Sequence, residues 1–292
     1  MILASDSLPS FLLDRAAEAI INADALLVCA GAGMGVDSGL PDFRGGEGFW
    51  RAYPPLARLG LLFEDMATEE WFYRDPALAW GFYGHRLNLY RRTIPHDGFS
   101  FLLRWAETKP AGSFVYTSNV DGQFQKAGFN ENEVVECHGS IHHLQCVAGC
   151  SRDIWSADDV SVEVDEETLR AKVPVPACSH CGFVARPNLL LFNDWKWLAT
   201  RSGAQEKRMG LWLRSIKKRA LRLTIVECGA GRAIPTVRSF SDRLSASGAT
   251  FIRINPREPQ TRPGSISLAA GALETLQALD ARIPTAKGFS TG

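Results

Sequence analysis

The sequence lacks any apolar stretch approaching the roughly 20 residues of a membrane span. Its opening residues, MILASDSLPS, carry no charged segment leading into an apolar run and a small-residue cleavage site. A cytoplasmic protein with no membrane partner is therefore expected. An excess of either charge is also missing: Lys and Arg number 32, Asp and Glu 32. Nothing in the overall charge then draws the chain to nucleic acid or an anionic surface. Internal repeats and low-complexity tracts are absent too, apart from a polar tail after about Ala286. What remains is an ordinary globular balance, 46% apolar and 22% charged over 292 residues, enough for a large core carrying a smaller module.

Short β-branched runs alternate with helical patterns. SFLLDRAAEAIINAD has helical periodicity and ALLVCA after it reads as a buried strand; SFVYTSN, LRLTIVECGAG and ATFIRINP repeat that grammar, with helical KRMGLWLRSIKKRAL and VRSFSDRLSAS among them. This is the signature of a parallel sheet with helices on both faces, an α/β fold whose ligands gather at the C-terminal ends of the strands. Two stretches break the pattern. Residues 45–92 are helical and rich in aromatics, and residues 141–184 hold paired cysteines around an acidic segment, DDVSVEVDEE. The expected division is a sheet domain of 1–44, 93–140 and 185–292, a helical insertion at 45–92 and a metal module at 141–184.

The seven cysteines are of two kinds. Cys29, Cys137 and Cys228 stand alone beside apolar runs and read as small core residues. Cys146, Cys150, Cys178 and Cys181 form two close pairs, the arrangement of a structural zinc ribbon in which four thiolates close a tetrahedral site. His180 lies within the second pair and reads as a bystander.

Directly after ALLVC comes GAGMGVDSGLPDFR. Glycines after a strand let backbone amides approach a phosphate, although a bare tight turn explains Gly31, Ala32 and Gly33 equally well. The dinucleotide fingerprint needs glycine at 36, where the chain has Val36. The longer string, GAG followed at fixed spacing by PDFR, resembles the sirtuin signature. TSNVD, CHGS, the cysteine pairs and RPNLLLF match that family in order, and RINP fits its late adenosine-binding segment.

The resemblance implies a Rossmann-like domain and a smaller zinc domain with NAD held between them, and removal of acyl groups from lysine of a protein or peptide substrate. It implies that Gly31, Ala32 and Gly33 approach the diphosphate and that Asp42, Phe43 and Arg44 belong to a loop closing over the cofactor. Ser118, Gly229, Ala230 and Asn255 fall at further cofactor positions. Asn119 and Asp121 match the nicotinamide pocket, although taken alone an Asn and Asp after a strand more often cap the next helix. His138 matches the catalytic base, a task suited to an imidazole whose ordinary pKa is near 6.5. Tyr83 and Arg86, a YxxR pair on one helix face, resemble the carboxylate-binding pair of the subclass that removes acidic acyl groups. Leu190 and Phe192 lie in the segment that pairs with substrate peptide.

Several positions depart from the family pattern. Ser118 stands for a glutamine, Gly35 for a serine, Gly229, Ala230 and Gly231 for GTS, and Phe192, Asn193 and Asp194 for phenylalanine, glycine and glutamate; the first cysteine pair is CxxxC. NAD hydrolysis, ADP-ribose transfer to another acceptor, and a silent NAD-binding module are the alternatives these departures keep open. His138, Asn119 and Asp121 favour an enzyme.

Overall fold

The computed structural model describes residues 8–42 and 45–284. The chain forms two compact units, Met1–Asp37 with His96–Tyr116 and Gly210–Gly292, and Ser38–Pro95 with Thr117–Met209. In the first, Ile266–Leu268, Thr250–Ile254, Leu223–Cys228, Ala25–Ala30 and Ser113–Thr117 lie side by side in that order. Leu223–Cys228 pairs in parallel with both Ala25–Ala30 and Thr250–Ile254, so Ala30, Cys228 and Ile254 finish level at the same end of the sheet. All six residues of Ala25–Ala30 are buried. That is why ALLVCA shows no alternation: a strand covered on both faces has no polar side.

Helix Thr236–Ala246 packs on this sheet, while Ala272–Asp280 packs against Ser10–Ile21 and Asp97–Glu107. Inside the apolar layer lies a charged pair. Arg253, 1% exposed, donates from Nε to Glu227 Oε1 at 2.5 Å and from Nη2 to Asp242 Oδ1 at 2.8 Å, and Ser241 Oγ donates to Glu227 Oε2.

The second unit joins the helical stretch to the cysteine-bearing stretch through one core. Asp75 caps Pro76–Arg92, accepting from Leu78 N–H at 3.2 Å, and Pro76 begins the helix where its missing N–H costs nothing. Trp80, Phe82, Tyr83 and Leu87 from this helix are buried together with Ile141, Leu144, Val162 and Leu189. Arg91 binds the carbonyls of Ala157 and Val160, both at 2.6 Å, and Asn88 that of Val162 at 2.8 Å, so the helix also holds the backbone of the acidic stretch. Strands Trp155–Ser156, Gly139–Cys146 and Ala185–Leu189 form an antiparallel sheet, in that order.

Candidate active site

In the first unit the turns after Ala30 and Cys228 lie backbone to backbone. Gly31 N–H donates to Cys228 O at 3.0 Å and Gly33 N–H to Gly229 O at 3.1 Å. A Cβ on Gly31 would stand 2.7 Å from Ala230 Cα, one on Gly33 2.7 Å from Gly229 Cα, and one on Gly229, at φ +63°, 2.4 Å from Gly33 C. The glycines are therefore required by the close approach of the two turns. Two of the amides donate to carbonyls in this approach, and Ala32 is the exposed member of the triplet. Asn255, fully buried, donates to Ala230 O at 2.9 Å and accepts from the amides of Arg257 and Glu258 at 3.0 and 2.9 Å. It thus holds the Ala230 turn to its own. Phe43 and Arg44 lie outside the described residues, and Asp42 before them is half-buried.

In the second unit the TSNVD turn is tied by its own side chains. Thr117 Oγ1 accepts from Asn119 N–H at 3.0 Å and Asp121 Oδ1 from Gln123 N–H at 2.9 Å. The Asp121 contact is the local bond expected of an aspartate after a strand. What goes beyond it is burial: Asp121 is 8% exposed, and loss of water pushes its carboxyl up to about 6, against the pull of the Gln123 amide and with a further push from Glu136. The His142 ring places Nε2 at 2.9 Å from Asp121 O, so that nitrogen carries the proton and donates. Gln123 Nε2 donates to Tyr90 O at 3.2 Å, and its buried Oε1 has no hydrogen-bond partner among the described residues. Ser118 is half-buried beside this turn.

A carboxyl raised in this way destabilises the fold where the unfolded chain would ionise. Below about pH 4 both states hold the proton; between about 4 and 6 only the native state does, so stability falls as pH rises, by about 3 kcal/mol in total. Asp121→Asn should therefore melt several degrees higher at pH 7.5 and show a flatter pH dependence across that window. Melts at a series of pH values check this, and a variant that keeps the wild-type pH profile would contradict it.

His138 precedes Gly139 at the start of Gly139–Cys146, and its carbonyl accepts from Leu190 N–H at 3.0 Å. Burial pulls the imidazole below its ordinary pKa, which keeps it neutral and able to take a proton at neutral pH. Leu190 and Phe192 are 42% and 37% exposed. Asn193 adopts φ +55°, the left-handed conformation that asparagine tolerates best after glycine. The Asp194 side chain is fully buried, takes Arg186 Nη1 and Nη2 at 2.7 and 3.0 Å, and accepts from Lys196 N–H at 3.0 Å. The departure from phenylalanine, glycine and glutamate therefore keeps a glycine-like backbone and adds a clamp.

The four paired cysteines converge, with all Sγ atoms within 4.8 Å of one another. Cys146 and Cys181 stand 3.7 Å apart, Cys150 and Cys178 3.6 Å. A zinc ion bound at about 2.3 Å by four sulfurs spaces them about 3.8 Å apart, so the set fits zinc with no open position for catalysis. His180 turns away to Asp153, at 2.9 Å. Purified protein should carry one zinc per chain, and chelation should lower its melting temperature by more than about 5 °C. Metal-free protein with an unchanged melt would contradict this.

Tyr83 and Arg86 are both buried in the helix Pro76–Arg92. The Arg86 guanidinium lies 5.7 Å from the Phe63 ring centroid and 5.9 Å from that of Tyr83. Phe63 in turn meets the half-exposed Phe192 at 6.3 Å. Aromatic contacts thus run from the surface segment to the guanidinium. Trp80 is packed away, donating to Ala185 O at 2.8 Å; Trp50 and Trp71 likewise bond local carbonyls. Tyr90 binds Arg86, and the one signal of it in the sequence is its place four residues on along the same helix.

A profile of the Sir2 family matches residues 31–206. The NAD-dependent protein deacylase of Aquifex aeolicus is 29% identical over 233 residues, which cover 80% of this chain and 84% of that protein. The NAD-dependent protein deacetylase of Saccharolobus solfataricus is 32% identical over 183 residues, covering 62% and 65%. Among solved structures, a Sir2 homologue in complex with NAD is similar at a TM-score of 0.67 and 22% identity, covering 92% of each chain. Among the described residues no helix is long and apolar enough to cross a membrane.

Proposed function

The chain belongs to the Sir2 family, and from that premise we propose that it is an NAD-dependent protein-lysine deacylase, releasing nicotinamide and O-acyl-ADP-ribose. The observation that carries this reading is the buried carboxyl of Asp121, bonded to the Gln123 backbone amide, together with the buried Oε1 of Gln123, which has no hydrogen-bond partner among the described residues. A carboxyl and a bare acceptor kept out of water suit an amide NH2, the group that nicotinamide presents. NAD, when bound, supplies the glycosidic bond whose cleavage is coupled to acyl transfer. Asn119 and Asp121 would hold the carboxamide, Ala32 and the turn at Gly229 and Ala230 the diphosphate side, with Gly31, Gly33 and Asn255 fixing those turns. His138, neutral through burial, would accept a proton at its ring nitrogen from a ribose hydroxyl. Zinc would keep the cysteine module folded without entering the chemistry.

The acyl group is assigned to the Arg86 pocket, which takes acidic chains of the succinyl or malonyl type as well as acetyl. The acyl-lysine would lie along Leu190 and Phe192. A charge-assisted contact to a buried carboxylate contributes about 1.5–3 kcal/mol, roughly 10- to 150-fold. Arg86→Met should therefore lower kcat/KM for succinyl-lysine peptides by that factor and acetyl-lysine peptides far less; equal losses would remove the assignment. The test of the function itself is stoichiometry: nicotinamide should appear mole for mole with deacylated peptide. Release of nicotinamide in the absence of peptide at an equal rate would favour NAD hydrolysis, and a modified protein would favour ADP-ribose transfer.

A further inference from the structure

The aromatic surroundings of Arg86 raise a question of charge, which rests on the acyl-pocket assignment above. Arg86 is 6% exposed, and among the described residues four rings lie around its guanidinium, those of Phe82 and Tyr90 at 5.4 and 5.5 Å in addition to Phe63 and Tyr83. A cation held so far from water is costly unless acceptors meet it. Tyr90, 5% exposed, is one of them: its hydroxyl accepts from Arg86 Nε at 3.1 Å and from Nη2 at 2.9 Å. Those two N–H groups form the edge of a guanidinium that receives a carboxylate side-on. Tyr90 therefore stands where an acidic acyl chain would bind.

A second observation points to a ligand in the same place. Tyr83 is 1% exposed, stacked on Phe72 with centroids 5.4 Å apart, and its hydroxyl has no hydrogen-bond partner among the described residues. A buried hydroxyl without a partner among the described residues, on a ring whose centroid lies 5.9 Å from the guanidinium, is suited to an oxygen brought by substrate.

We propose that Tyr90 is a built-in substitute for the acyl carboxylate. Its hydroxyl occupies the Arg86 edge when the acyl chain is neutral and yields that edge when the chain ends in a carboxylate. One pocket thereby accepts both acetyl-type and succinyl-type lysines, since neither leaves that edge of the buried cation without an acceptor.

The test is Tyr90→Phe, assayed with acetyl- and succinyl-lysine peptides of one sequence. Deleting the hydroxyl removes two acceptor contacts from the free and the acetyl-bound enzyme, whereas the succinyl chain restores them. The ratio of kcat/KM for succinyl over acetyl should rise about tenfold, the low end of a charge-assisted hydrogen bond. A ratio that stays level or falls overturns the inference. Because Tyr90 is buried, a second measurement guards against a folding effect. Tyr90→Phe should lower the melting temperature clearly more in the native background than in the Arg86→Met background, where the donor is already gone; equal losses overturn the inference as well. Wild-type protein inactive on both peptides overturns the functional reading and this inference together, while an active wild type with an unmoved ratio overturns this inference alone.

Discussion

Replacing His138 by asparagine is expected to lower kcat for deacylation by about 10²- to 10⁴-fold, the usual contribution of a positioned general base, with the protein still folded. The separation of effects follows from geometry. The backbone of residue 138 is held through its carbonyl, which accepts from Leu190 N–H, and the antiparallel sheet continues from Gly139 opposite Leu189. Neither contact uses the imidazole. The same burial that lowers the ring's pKa sets the pH profile: activity should rise with pH through an inflection below 6.5 and then level off. Single-turnover rates beside thermal melts make the comparison. Activity within a fewfold of wild type would remove His138 from the chemistry.

Gly139→Ala should act in the opposite way, through the fold. An alanine Cβ there would stand 2.0 Å from Asn188 O and 3.0 Å from Asn188 C, at a residue whose φ is +80°. The clash is with backbone, so no side chain can swing aside. Left-handed strain in a non-glycine residue costs about 1–3 kcal/mol and overpacking a similar amount. Together they should take about 3–5 kcal/mol from the unit that carries His138 and the four cysteines, a fall of roughly 6 °C or more in melting temperature. Gly149→Ala is the control, since Gly149 has φ +66° and nothing within 4 Å of its added Cβ. It should bear only the conformational cost. Equal shifts for the two variants would contradict the close approach at Gly139.

What could be read from the sequence was what depends on near neighbours along the chain. ALLVCA, LRLTIVECGAG and ATFIRINP announce strands because a run of buried residues is a local property. Cys146, Cys150, Cys178 and Cys181 announce a metal site because thiolate spacing restricts the ligand geometry. Position is harder than identity. The spacing of Gly31 and Gly33 suggests clearance for an anion, but nothing local announces that their bareness also gives clearance for Gly229 and Ala230, about 200 residues away in sequence. Asp194 looked like a lost glutamate; its bidentate bond to Arg186 makes it a buried clamp. The inserted stretches at 45–92 and 141–184 contribute to one core because Trp80 and Leu87 need partners that Leu144 and Val162 supply, and no periodicity within either stretch states that pairing. Tyr90 was hidden by its chemistry, since a tyrosine among apolar helix positions is ordinarily core.

The central claim is that the acyl group of a lysine side chain ends on the sugar derived from NAD. Mass spectrometry of the small-molecule product formed from NAD and a succinyl- or acetyl-lysine peptide tests it most directly. The account predicts ADP-ribose carrying the peptide's acyl group, in amounts equal to the free lysine formed, and its disappearance with His138→Asn. Free ADP-ribose alone, with the acyl-lysine peptide intact, would contradict it.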